Sequence, residues 1–123
     1  MKRIIYRIFD RYFRKKAIKN HRKMWRWLAE NPGKGKLDYL MLYDPNARLI
    51  HSCYLCEYAA HKMQCLEKKV ISICKYCPLD WGGRACKDYG SLFDRWWISH
   101  FYASKKSSMA ARQIAELPER KDI

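Results

Sequence analysis

The sequence predicts a single, mostly α-helical domain with a small, loop-rich centre, and three observations predict it. Apolar residues recur at helical spacing towards both ends of the chain. Asn31-Pro32-Gly33 and Asp44-Pro45-Asn46 interrupt the pattern between them. All six cysteines lie in the middle, on one spacing used twice. A length of 123 residues suits one domain with a modest core, and an apolar share of 49% with 15% aromatics argues for a packed chain rather than a disordered one.

The elements follow in order. Ile5, Ile8, Phe9, Tyr12 and Phe13 form one face of an N-terminal helix, with Arg3, Arg7, Arg11 and Arg14 on the opposite face. After Ile18 the register drifts, and Asn20 can cap a second helix that carries Met24, Trp25 and Leu28 inward as far as the Asn31-Pro32-Gly33 breaker. Residues 37–52, with LDYLMLY and ARLIHS around Asp44-Pro45-Asn46, read as a short β-hairpin leading into the first cysteine pair. Leu92, Phe93, Trp96, Trp97 and Phe101 mark an aromatic helix, expected as core rather than as a base-stacking surface. Ser107 or Ser108 starts a last helix through Ile114 and Leu117, ended by Pro118.

The cysteines carry the chemistry. Residues 53–65 read CYLCEYAAHKMQC and residues 74–86 read CKYCPLDWGGRAC, so each is C-x2-C-x8-C and the second begins 21 residues after the first. A C-x2-C turn brings two thiolates to one side of a tight knuckle, and two knuckles supply the four sulfurs of a tetrahedral zinc site at about 2.3 Å per bond. Cys53 with Cys56, and Cys74 with Cys77, form two such knuckles separated by seventeen residues, a spacing that reads as a zinc site. The expected cofactor is therefore structural zinc, one ion or two. Unligated thiols, a disulfide pair and an iron–sulfur centre are the other readings.

Cys65 and Cys86 stay open between several roles. The doubled pattern resembles the six-cysteine, two-zinc cluster of fungal transcription activators. It departs from that cluster in having eight residues rather than six before each isolated cysteine, and in lacking a basic recognition helix and following heptads. In a one-zinc site Cys65 and Cys86 are buried thiols, or Cys86 replaces a knuckle sulfur. His51 and His61 are ligands in principle, although four thiolates already fill a closed site. His21 and His100 carry no spacing signal.

No catalytic constellation stands out. A catalytic zinc keeps an open position and a nearby general base, whereas an all-thiolate site is closed. Glu57 follows Cys56, but the deaminase order is absent because Pro78 follows its knuckle. No H-E-x-x-H, G-x-S-x-G or phosphate-binding loop occurs. The reading is a non-enzymatic protein.

Lys and Arg number 26 against 12 acids, a net charge of +14, which favours polyanionic partners. Eleven of those bases and one acid, Asp10, fall in residues 1–29, so this quarter carries +10 of the +14. Arg3, Arg7, Arg11 and Arg14, with Lys15, Lys16, Lys19, Arg22, Lys23 and Arg26, would track a phosphate backbone. A solvated helix face and attachment to an anionic membrane are the competing readings. No apolar run is long enough to span a bilayer, and Arg7, Asp10 and Arg11 interrupt what would be a signal-peptide core, so a cytoplasmic location is expected.

HRKMWRWLAENPGKGKLDYL, CEYA after the first knuckle, CPLDWGG at the second and IAELPER near residue 120 resemble a group of small cysteine-rich proteins of tailed phages of Gram-positive bacteria. The resemblance covers about residues 21–120 and implies two units, a basic amphipathic helical extension over 1–20 and a zinc-knuckle helical domain over 21–123. It also implies a zinc-knuckle accessory protein made in an infected bacterial cell, with Cys53, Cys56, Cys74 and Cys77 as the matching knuckles. No activity comes with it. Two functions are expected: binding of nucleic acid or a nucleoprotein through the basic N-terminal helices, or anti-defence (for example anti-CRISPR) inhibition of a host nucleic-acid-guided nuclease.

Overall fold

In a computed structural model of the chain, residues 2–49, 52–66, 73–83, 85–102 and 104–121 are described, with side chains from Arg7 onward. Five α-helices and one 3-10 turn form among them: α1 (Lys2–Glu30), α2 (Lys36–Tyr43), α3 (Tyr54–Leu66), the 3-10 turn (Ile73–Tyr76), α4 (Leu92–His100) and α5 (Lys105–Ala115). No sheet forms among the described residues; the one extended pairing is an isolated antiparallel bridge between Leu79 and Glu119.

Helix α1 is continuous where two helices were expected. No Gly or Pro interrupts residues 2–31, and Asn20 lies within the helix instead of capping one. The drift in register is real, however. Ala17, Ile18, His21, Met24, Trp25, Leu28 and Ala29 are buried, whereas Ile8, Phe9, Tyr12 and Phe13 are 63%, 53%, 59% and 44% exposed. At 3.6 residues per turn these two apolar faces point roughly 150° apart. One faces the core; the other faces out.

The hairpin expected over 37–52 is a helix over its first half. Tyr39 and Tyr43, four residues apart, bring their rings to 5.0 Å, and Tyr39 packs on Trp27 at 5.6 Å. Such i,i+4 aromatic contacts form only on a helix. Asp38 also accepts the Gly35 N–H at 2.7 Å, which satisfies an otherwise orphaned donor at the helix start. His51 and Ile50 lie outside the described residues.

Packing centres on α1, α4 and α5, with α3 laid against α1. Trp25 and Trp96 meet edge-to-face at 4.8 Å, and Met24, Leu28, Leu55, Ile114 and Leu79 fill the space around them. Each such side chain contributes about 1.5–3 kcal/mol by leaving water. Helix α4 splits the aromatic stripe: Trp96 and His100 are core, while Trp97, Ile98 and Phe101 face solvent. The last helix begins at Lys105, earlier than Ser107, because Ser104 is the cap and accepts the Ser107 N–H at 3.4 Å. Ser107 is instead buried, its hydroxyl donating to the Ser104 carbonyl at 2.7 Å.

Candidate metal centre and basic helix

Five of the six cysteines line one cavity of about 880 Å³: Cys53, Cys56, Cys74, Cys77 and Cys86. Cys53 and Cys56 come from the entry and first turn of α3, Cys74 from the 3-10 turn, and Cys77 from the residue that follows it. The Cys53 sulfur accepts the Cys56 backbone N–H at 3.4 Å, an arrangement that closes the C-x2-C knuckle. Cys77 N–H donates to the Cys74 carbonyl at 3.2 Å and tightens the second knuckle.

Cys86 reaches the cavity from a long loop that is itself pinned. The buried Ser91 hydroxyl donates to the Cys86 carbonyl at 2.6 Å and accepts the Asp94 N–H at 3.1 Å, so the cap of α4 also anchors this thiol. Asp88 accepts the Ala85 N–H at 2.8 Å on the other side. Gly90, at φ +79°, makes the left-handed turn between them, a conformation that disfavours any side chain.

Electrostatics link the sulfurs. The Cys56 thiol lies within hydrogen-bonding reach of Cys53 and Cys86, and these contacts, with burial, push its pKa far up. Cys53 is drawn down by that thiol, against burial, with help from Lys36 and the backbone N–H groups of Cys56 and Leu55. Cys86 is drawn down by the same thiol. Burial pushes Cys77 up to about 11, opposed by the Leu79 N–H and the Trp81 indole. The Trp81 Nε1–H is buried with no partner at normal hydrogen-bond distance, so its pull on Cys77 is a long electrostatic contact rather than a formed bond. Lys36 is held over the rings of Phe93 at 4.6 Å and Trp25 at 5.5 Å; burial lowers its pKa, and the thiols of Cys53, Cys86 and Cys56 oppose that. Among the described residues, no three His, Cys, Asp or Glu side chains are gathered into a group that could hold a metal ion; the five sulfurs share a cavity, not a formed coordination shell.

Cys65 stands apart, exposed near the end of α3 with its sulfur 4.0 Å from His61 Nδ1. His61 faces Phe13 of α1 and not the thiol cavity. His21 is buried, donating from Nε2 to the Ile114 carbonyl at 3.3 Å, and desolvation lowers its pKa to about 3. His100 stacks on Trp96 at 4.5 Å.

The basic residues of α1 fall into three sets. Arg7, Arg11 and Lys15, four residues apart, form one exposed row; Lys16, Lys19, Lys23 and Arg26 form a second. Arg14 and Arg22 leave the surface array expected of them. Arg14 donates to the Arg120 carbonyl and pairs with Glu119 at 3.9 Å; Arg22 donates to the Leu117 carbonyl at 3.1 Å. Both satisfy carbonyls of the segment after α5, which no helix supplies with donors. Arg3 lies among the residues whose side chains are not described. Asp10, the lone acid of this quarter, accepts the Tyr58 hydroxyl at 2.6 Å and pairs with Lys62 at 3.6 Å, tying α3 to α1.

Sequence reasoning did not find the segment Leu117–Arg120. It bridges α1 to the second knuckle: Asp80 N–H donates to the Pro118 carbonyl at 2.9 Å, Arg120 N–H to the Pro78 carbonyl at 2.8 Å, and Arg120 Nη1 to the carbonyls of Lys75 and Cys77. The only available signal was the presence of arginines and prolines at positions with no helical role. Among the described residues, no helix is long and apolar enough to cross a membrane.

A scan against models of protein families, a search of curated proteins and a search of solved structures each find no match to this chain.

Proposed function

We propose that this is a non-enzymatic binding module in which zinc fixes the centre and α1 presents cations to nucleic acid or a nucleoprotein. One ion would be held by Cys53, Cys56 and Cys77, with Cys86 or Cys74 as the fourth thiolate. The donor set suits it: of the cavity carboxylates, Asp80 and Asp88 are engaged by the turn N–H groups of Gly82 and Ala85 and Glu119 is paired with Arg14, whereas five sulfurs face the same space. Bound there, zinc would supply folding free energy and charge neutralisation for buried thiolates, not catalysis.

The observation that carries the binding half is the pair of exposed cation rows on α1, in a segment whose single acid is committed to α3. Steps of three and four residues set these charges about 4.5–6 Å apart along the axis, dense enough to neutralise successive phosphates. The test is anisotropy of labelled oligonucleotides against salt concentration. Affinity should fall steeply on a log–log plot, and Arg7→Glu with Arg11→Glu, Lys15→Glu and Lys19→Glu should remove most of it. Unchanged binding by that variant overturns this reading.

A second reading, a protein-directed anti-defence inhibitor, draws on a different surface. Leu37 and Met41 of α2, Trp97 of α4 and Phe101 just after it are exposed, with Leu37, Trp97 and Phe101 around one depression. Apolar and aromatic clusters of this kind are common in protein interfaces. Capture of a single host complex that survives nuclease treatment favours it; loss of every partner on digestion favours the first reading.

A further inference from the structure

Building on the nucleic-acid reading of α1, we infer that the helix takes single-stranded rather than duplex nucleic acid, stacking bases on Phe9, Tyr12 and Phe13 while phosphates run along Lys16, Lys19, Lys23 and Arg26. Three aromatic rings on one exposed face of a helix are costly to leave in water, and the core of this protein is built on the opposite face. They are also ordered. Phe9 and Phe13 stack at 6.2 Å, and Tyr12 meets Phe13 edge-on at 5.4 Å. The face continues without a break into charge: Tyr12, Lys16, Lys19, Lys23 and Arg26 step by four, three, four and three residues, and all are exposed.

A groove of about 390 Å³ opens beside the rings, between Phe9 and Phe13 of α1 and Tyr58, His61 and Lys62 of α3. That volume lies within the range of small-ligand clefts. Carboxylates stand in it: Asp10 and Asp44 each accept a tyrosine hydroxyl, and Glu57 lines it too. Lys16 and Lys62 line the groove too, Lys62 paired with Asp10, so the three carboxylates leave it only slightly negative, and their oxygens can accept hydrogen bonds from exocyclic base amines while Lys16 at its edge meets the phosphate. The backbone is thereby directed outward to the lysine row and the bases inward to the rings.

The alternatives for this face fit less well. A second copy would oppose two helices that each carry most of a +14 charge. A membrane-surface helix wants a broad aliphatic face, whereas among the described side chains this face carries three aromatic rings beside Ile8, and Lys16 and Lys19 follow one turn later. A duplex keeps its base faces stacked inside and would leave the rings against sugar edges. An unstacked base offers a π-face, worth about 1–3 kcal/mol per base, or roughly 5- to 150-fold in affinity.

The experiment measures anisotropy of labelled 20-nucleotide single-stranded DNA and RNA, and of the matching duplex, with the whole protein. The variant carries Phe9→Leu, Tyr12→Leu and Phe13→Leu, which keeps the apolar bulk and removes the rings. Single strands should bind wild type at least ~10-fold tighter than duplex, and the variant should lose at least that factor on single strands alone. Equal affinity for both forms, or no change in the variant, overturns the stacking inference while leaving the nucleic-acid reading intact. Absence of binding to every oligonucleotide at low salt overturns both, as does binding only to phosphatidylglycerol vesicles. Should the triple variant fail to fold, Tyr12→Ser alone must cut single-strand affinity ~5-fold or more without touching duplex; otherwise the inference fails.

Discussion

Arg120 donates from Nη1 to the carbonyl of Cys77 at 3.3 Å, and from the same nitrogen to that of Lys75 at 2.9 Å. One guanidinium thus braces the backbone of the second knuckle from a point 43 residues further along the chain. Hydrogen bonds from a charged donor contribute about 1.5–3 kcal/mol where the acceptor would otherwise be left unpaired. Arg120→Met should lower folding stability by about that amount, read as a shift in the urea midpoint. In the proposed zinc-bound form it should also speed metal loss to a chelator, because the loop bearing Cys74 and Cys77 would lose its external brace.

The cysteines should separate by position. For the proposed zinc site, serine at Cys53, Cys56 or Cys77 is expected to abolish stoichiometric zinc in native mass spectra, while Cys65→Ser should leave it unchanged, since Cys65 lies outside the cavity; Cys86→Ser is measured beside Cys74→Ser for the fourth position. Cys74→Ser decides the fourth ligand. Retained zinc assigns Cys86 to the shell; lost zinc in both variants points to a shared or two-ion site.

Two neighbouring cations on α1 should behave oppositely. Arg14→Glu is expected to destabilise the fold by about 1.5–3 kcal/mol, because its guanidinium satisfies the Arg120 carbonyl and faces Glu119. Lys15→Glu, fully on the exposed row, should leave the melting temperature within a degree or two and act on binding alone.

His21 should make stability depend on pH. Its folded pKa of about 3 lies below the ordinary value of 6.5, so between those limits the unfolded chain takes up a proton that the native protein refuses. Stability contributed by the neutral ring is complete above pH 6.5 and declines as pH falls, by about 1.4 kcal/mol per unit, or about 2 kcal/mol at pH 5. His21→Gln removes that slope. Urea midpoints of the two proteins between pH 7.5 and 5 should converge as the pH drops, and parallel curves would refute the assignment.

The core is ordinary in its expected response. Leu28→Ala should cost about 2–5 kcal/mol and Trp96→Ala about 3–5 kcal/mol, since both side chains are buried where α1, α4 and α5 meet. Calorimetric or denaturant melts of each variant check this directly.

Much of this architecture was legible in the sequence, and the misses share a cause. Periodicity found both ends of the chain helical, and five of the cysteines singled out by their doubled spacing line one cavity. Spacing says which residues share a face but not what covers it. Phe9 and Phe13 share the predicted apolar face, but that face is rotated away from the one that Met24 and Leu28 bury. LDYLMLY has apolar residues at both two- and four-residue spacing, and only the contact of Trp27 with Tyr39 settles the period. Arg14 and Arg22 resembled their neighbours in the charged row, because their acceptors lie about a hundred residues away and leave no local trace.

That distance has a consequence for how the molecule is assembled. Helix α1 is made early, yet its packing partners on α5, such as Ile114 against His21, come 93 residues later. Until translation reaches them, a long cationic rod has only α2 and α3 to pack on, and the stripe that α5 covers stays bare. The nascent chain should thus be a client for chaperones, or for whatever polyanion lies nearest the ribosome exit.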